Sequence, residues 1–207
     1  MFFQGAEAKV YTTTFLNKTV IVKDRFEKTY RLKELDKSIR KSRMLSEAKC
    51  IKKAFEMANV NTPTIYYMDM ENTRIFMEKL EGITLKRFIL DNENPKRLEE
   101  IAKELGSIVA RLHSNHIIHG DLTTSNIIVG SDGLSIIDFG LAEIAQSAEK
   151  KAVDLWIMKR TLSSSHIGYE WLIDVAINEY IRVYALKDLE KIKQRLALVQ
   201  QRYRKMQ

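Results

Sequence analysis

The chain has 207 residues, 45% of them hydrophobic and 29% charged, enough for one domain or two small lobes around a cleft and too little for several independent domains. Two prolines and eight glycines exclude collagen-like and disordered compositions. No apolar run reaches the roughly 18 residues that cross a bilayer. The single cysteine, Cys50, leaves no internal disulfide. Thirty-four basic against 27 acidic residues give a net +7, which attracts polyanions such as RNA or nucleotide phosphates without choosing between them. A lysine-rich solvated face would give the same balance. The Met1-Phe2-Phe3-Gln4 start lacks the basic flank and long apolar stretch of a signal peptide, so the expectation is a soluble, cytoplasmic chain with no membrane segment.

Val10–Phe15 and Thr19–Lys23 are rich in β-branched residues and separated by the turn-former Asn17, which predicts a hairpin. From about Asp36 to Ala58 the pattern turns helical, with Ile51, Phe55 and Ala58 on one stripe and Lys and Arg elsewhere; Pro63 closes the segment. Ile65–Met68 and Thr73–Met77 predict a second hairpin. Lys79-Leu80-Glu81-Gly82 is the expected hinge, dividing an N-terminal lobe (1–79) from a helical C-terminal lobe (80–207). Asn94 before Pro95 marks a helix start, and Leu98, Ile101, Leu105, Ile108 and Leu112 form one apolar stripe behind it. Ile127–Val129 and Leu134–Ile137 flank Gly130-Ser131-Asp132-Gly133 as a third hairpin. Helical periodicity returns from Lys151 to a basic end, with Ser163-Ser164-Ser165 expected as a polar loop between helices.

The chemistry concentrates in His119-Gly120-Asp121-Leu122-Thr123-Thr124-Ser125-Asn126 and in Ile136-Ile137-Asp138-Phe139-Gly140. Asp121, Asn126 and Asp138 sit at loop positions bounding one hairpin. Phosphoryl transfer needs such a set: a carboxylate to orient the attacking hydroxyl or water, and hard oxygen ligands for Mg²⁺. His113, His116 and His166 have no metal spacing with Cys50. Trp156 and Trp171 read as core or partner-facing aromatics.

This pattern resembles the protein-kinase superfamily, whose catalytic loop reads His-Arg-Asp with Asn five residues after the Asp, followed by Asp-Phe-Gly. The resemblance implies a two-lobed α+β kinase-like fold, with a small antiparallel sheet plus helix in the N-lobe and a truncated, mostly helical C-lobe. It makes Asp121 the catalytic aspartate and Asn126 and Asp138 the metal ligands, with ATP and Mg²⁺ as cofactors. Lys23, closing Val20-Ile21-Val22-Lys23, would pair with the α- and β-phosphates and be held by Glu47. Gly5, Ala6, Glu7 and Ala8 would cover the nucleotide, and Glu78 and Leu80 at the hinge would border it. His119 would brace the catalytic loop by packing and hydrogen bonding.

The departures are specific. The Gln4-Gly5-Ala6-Glu7-Ala8 loop has one glycine where ordinary kinases have three, which weakens or reshapes the phosphate clamp. Gly120 replaces the arginine that receives an activation-loop phosphate. Thr123 replaces a lysine that touches the transferred group, so transfer should be slow. No Ala-Pro-Glu follows Gly140. Together with Glu47-Ala48 in a basic helix and Lys151-Ala152-Val153-Asp154-Leu155, these features resemble the small atypical serine/threonine kinase of the KEOPS complex. That resemblance implies autophosphorylation or ATP hydrolysis, partnership with a sugar-kinase-like ATPase and the other KEOPS subunits, and a role in threonylcarbamoylation of an adenosine in tRNA. By kinase analogy Asp154 accepts hydrogen bonds from the catalytic-loop backbone. Arg195, Arg202, Arg204 and Lys205 are the candidate tRNA contacts; a frayed basic terminus is the plainer reading. Rival classes are a Rio-type kinase, a small-molecule phosphotransferase of the aminoglycoside or choline type, and a nucleotide-binding scaffold with little chemistry.

Overall fold

The computed structural model describes residues 2–5 and 7–204. Strands β1 (Phe2–Gln4), β2 (Lys9–Phe15) and β3 (Lys18–Asp24) form an antiparallel meander. The β2–β3 hairpin turns on Leu16 and Asn17, at φ 49° and 60°. A two-residue turn with positive φ at both centres matches the twist of its strands, and it sets the register from Lys9↔Asp24 to Phe15↔Lys18. Helix α1 (Lys33–Glu56) follows, then β4 (Ile65–Asp69) and β5 (Arg74–Glu78), which complete a sheet of order β1-β2-β3-β5-β4. All three hairpin and helix expectations for this half of the chain have their counterparts here.

Helix α1 lies against the sheet, with Met44 buried on Ile75 and Met77. Its N-cap, Leu32, offers no side-chain hydrogen bond. The first turns are held instead by buried Asp36, paired with Arg31 at 3.3 Å and Arg40 at 2.6 Å. Phe55, expected on the buried stripe, is 60% exposed. The inward track runs through Met44, Glu47, Cys50, Ile51 and Ala54 and leaves Phe55 on its flank.

The rest of the chain is β6 (Ile83–Thr84), α2 (Leu85–Asp91), α3 (Pro95–Ser114), β7 (Ile117–Ile118), β8 (Ile127–Gly130), β9 (Gly133–Ile136), β10 (Glu143–Ile144), α4 (Ala148–Ser165), α5 (Trp171–Val183) and α6 (Leu189–Arg204). The Asn94 side chain accepts the Lys96 and Arg97 amides at the start of α3, and the five stripe residues of that helix are all buried. A Cβ on Gly106 would lie 2.1 Å from the Ala176 carbonyl oxygen, so α3 and α5 meet backbone to backbone. Ser163–Ser165 are the last residues of α4 rather than a loop; Leu162, buried beside them, carries the helix that far. Among the described residues no helix is long and apolar enough to cross a membrane.

Candidate active site

Lys23 is the last residue but one of β3, with its side chain turned inward and only 8% of its surface exposed. Its Nζ donates to Glu47 Oε1 and to Asp138 Oδ1, each at 2.6 Å. Glu47 comes from the middle of α1 and Asp138 from the loop after β9, so one ammonium gathers three segments distant in sequence. Burial raises the Asp138 carboxyl, but the Lys23 ammonium and the Gly140 amide outweigh it and leave the pKa below the ordinary aspartate value. Asp138 takes a left-handed conformation (φ 60°, ψ 66°) and caps the following 3₁₀ turn through Gly140 N at 3.2 Å.

The β8–β9 hairpin sets the other donors. Ile127 pairs with Ile136, and the Ile137 amide donates to the Asn126 carbonyl at 2.9 Å, so the residues just outside the hairpin lie side by side. Asn126 Nδ2 donates to Asp121 Oδ2 at 2.9 Å and to the Asp121 carbonyl at 3.0 Å. That fixes the amide so that its oxygen is turned away from Asp121.

The catalytic loop is braced from below. His119 is buried; its Nδ1 accepts the Asp121 amide at 3.2 Å, which places its proton on Nε2, facing the Ile137 carbonyl at 3.1 Å. Its ring packs on Phe139 at 4.9 Å. Asp154 on α4 accepts the His119 amide at 2.6 Å and the Gly120 amide at 2.8 Å. Gly120 sits at φ +83°, where a Cβ would lie 2.7 Å from the Leu141 carbonyl oxygen. The arginine found here in ordinary kinases has no room in this loop.

The remaining expected residues fall as follows. The Gly5 amide bonds the Ala8 carbonyl at 2.9 Å and closes the loop between β1 and β2, while Ala6 lies outside the described residues. Glu7 pairs with Arg43 and, at 3.6 Å, with Arg25. The Arg43 guanidinium first, then Arg25, holds its carboxyl below the ordinary glutamate value against a burial effect of opposite sign. Glu78 Oε2 accepts the Thr64 amide at 3.1 Å, so its carboxylate closes the start of β4, and Leu80 is half-buried at the β5–β6 connection. Arg195 and Arg202 both pair with Glu149 on α4, at 3.7 and 2.8 Å. They belong to a helix seated on α4 rather than to a frayed end; the Arg204 side chain and Lys205 lie outside the described residues.

The sequence reading missed Arg25. It is 3% exposed and donates to the second oxygen of Glu47 at 2.5 Å, so one carboxylate serves two cations. The available signal was its position two residues beyond Lys23, on the same side of an extended chain. His166 was also missed as a brace: its Nε2 meets the Thr124 hydroxyl at 3.1 Å. Among the described residues no three His, Cys, Asp or Glu side chains gather as a metal cage.

A lysine–glutamate pair beneath an antiparallel sheet, with an Asp–Asn loop and an Asp-Phe-Gly turn facing it, defines a chain of the protein-kinase superfamily. Consistent with this, the family model described as "Protein kinase domain" matches residues 4–186. Rio2 kinase from Chaetomium thermophilum, solved as an ADP/Mg²⁺-phosphoaspartate complex, superposes with a TM-score of 0.63 at 13% identity, covering 100% of this chain and 71% of that one; the likeness is one of fold. KEOPS complex subunit Bud32 of Pyrococcus abyssi is 36% identical over 210 residues, covering 97% of this chain and 94% of the relative. A probable bifunctional tRNA threonylcarbamoyladenosine biosynthesis protein of Methanocaldococcus jannaschii is 42% identical over 197 residues, covering 91% of this chain but 35% of that longer protein. The chain belongs to the Bud32 family of KEOPS complex subunits.

Proposed function

We infer that the chain is an ATP-dependent phosphotransferase or ATPase of the atypical serine/threonine type, acting with a sugar-kinase-like ATPase and other KEOPS subunits in tRNA threonylcarbamoyladenosine formation. The observation that carries the catalytic part is the shared ammonium of Lys23, 2.6 Å from both Glu47 and Asp138. Few structural roles demand a buried lysine on two carboxylates at the mouth of a loop that also presents Asp121 and Asn126. The donor set fits Mg²⁺: Asp138 keeps a half-exposed, ionised carboxylate, and Asn126 has its oxygen free of Asp121. Hard oxygen ligands in small number suit an ion that shares its coordination with substrate phosphates and water.

In this reading Lys23 binds the α- and β-phosphates, oriented by Glu47, and Gly5–Ala8 covers them. Asp138 and Asn126 would hold Mg²⁺, which when bound would neutralise charge on the triphosphate. Asp121, with Oδ2 fixed by Asn126, orients the acceptor hydroxyl or a water and takes its proton as the phosphoryl group leaves ATP. Asp154 and His119 hold the loop for that step. Thr123 supplies no cation to the transferred group, so turnover is slow. A cytoplasmic setting agrees with the lone, buried Cys50 thiol, whose pKa burial pushes up. The names of the relatives support the tRNA part of the reading.

The test is γ-labelled ATP with the purified chain, its Asp121→Ala and its Asp138→Ala variants. Wild type releases labelled phosphate or labels itself on serine or threonine, and both variants lose at least 100-fold while remaining folded by far-UV circular dichroism. Turnover retained in either variant defeats the mechanism.

A further inference from the structure

The catalytic reading leaves Lys151 unexplained. It stands near the start of α4 with none of its surface exposed. A buried ammonium costs several kcal/mol unless paired and hydrogen-bonded. Its Nζ donates to the Tyr184 hydroxyl at 2.6 Å and to Asp188 Oδ2 at 3.1 Å, and lies 5.3 Å from the Tyr184 ring centre. The Tyr184 hydroxyl donates in turn to Asp188 Oδ1 at 2.8 Å. Asp188 is where α6 begins, since its carbonyl accepts the Ile192 amide at 3.0 Å. These three side chains pin the α5–α6 junction to α4.

The same side chains lead to the catalytic loop. Tyr184 stacks on Tyr180 at 5.3 Å. The Tyr180 hydroxyl lies 3.1 Å from His113 Nδ1, and His113 Nε2 lies 3.2 Å from Asp154 Oδ2. Asp154 Oδ2 also accepts the His119 amide, so His113 donates to it from Nε2, and in the neutral ring Nδ1 accepts from the Tyr180 hydroxyl. Asp154 is one helical turn beyond Lys151 and holds the His119 and Gly120 amides. The far end of α6 returns to α4 through Tyr203 against Trp156, at 5.5 Å, and through the Glu149 pairs.

We propose that Lys151 is a positioning residue for catalysis, and that the seating of α6 is transmitted to the catalytic loop through Tyr184, Tyr180, His113 and Asp154. This rests on the ATP-turnover reading, and anything that grips or lifts α6 then sets the rate of the loop it never touches.

The experiment uses the full chain in three variants: Lys151→Met, Tyr184→Phe, and Val199→Asp in the buried seam of α6. Backbone hydrogen exchange and steady-state ATP turnover are measured on each. Lys151→Met raises exchange at the His119 and Gly120 amides tenfold or more, leaves β3 amides unchanged, and lowers kcat at least tenfold with KM for ATP within twofold. Tyr184→Phe, which keeps the ring stack and the Lys151–Asp188 pair, gives a smaller effect of the same pattern. Val199→Asp reproduces the loop exchange, and the Lys151→Met/Val199→Asp double variant is no slower than Lys151→Met, because effects sharing one route do not add. Loop exchange unchanged in Lys151→Met overturns the proposal, as does protection lost equally in β3. If Lys151→Met does not fold, Tyr184→Phe decides by the same readouts. A wild type without ATP turnover defeats the catalytic reading instead, and the exchange arm still decides the coupling.

Discussion

Glu47 carries two cations on one carboxylate, with Lys23 on Oε1 and Arg25 on Oε2. The consequence at the residue scale is that Arg25 protects the lysine–glutamate pair from the rear. Without Arg25, Glu47 keeps Lys23 on Oε1 but its buried Oε2 loses a charged hydrogen-bond donor, at roughly 1–3 kcal/mol. Arg25→Met should therefore lower the denaturation free energy by about that much. Glu7→Gln, at the half-exposed end of the same chain of charges, should cost about 0–1 kcal/mol. Equal effects in urea melts of the two variants would show that Arg25 is not a buried anchor. Asp121, Asn126 and Asp138 were legible in the sequence because their spacing repeats a pattern in which every residue contacts a reacting group. Arg25 was not, because it falls one residue past the strand end, within Asp24-Arg25-Phe26-Glu27-Lys28, where alternating charge reads as solvated loop. Lys151 and His113 show no role in the sequence for a related reason. Their partners, Tyr184, Asp188 and Tyr180, lie 33 to 67 residues away, and only packing brings them together.

Among the elements, α3 announced itself through Asn94-Pro95 and its stripe, because a side-chain cap and an amphipathic period are both local. Helix α1 starts at Lys33, earlier than its pattern suggested, because Leu32 gives no cap and the start is fixed by local ion pairs that an apolar stripe does not reveal. Asp36 is the centre of these. Burial pushes its carboxyl up, but the Arg40 hydrogen bond, the Lys28 amide and Arg31 outweigh it, and its pKa lies below the ordinary aspartate value. A carboxyl lowered by folding stabilises fully above its unfolded pKa, near 4, and that stability is lost as pH falls through the lower folded value. Asp36→Asn should accordingly reduce stability at pH 7 and flatten the decline below about pH 4. Denaturant midpoints taken from pH 7 to 3 check this, and wild-type and variant curves that stay parallel would remove Asp36 as the acid-sensitive anchor of α1.

At the scale of the whole molecule, the net charge of +7 is not spread evenly over free cations. Arg195 and Arg202 share Glu149, so the candidate tRNA face is partly neutralised by its own neighbour. Contact with RNA phosphates there requires those arginines to exchange a carboxylate for a phosphate, and only exposure makes that exchange inexpensive. If about three phosphates are neutralised, the affinity of the chain for tRNA should fall about 40-fold between 50 and 200 mM salt. Glu149→Gln should strengthen binding, most at low salt, since it releases both arginines and makes the face one charge more positive. Filter binding of tRNA to the full chain across that salt series decides the matter. An affinity independent of salt, or one weakened by Glu149→Gln, would mean that the arginines of α6 serve the α4 interface alone and that RNA meets the molecule elsewhere.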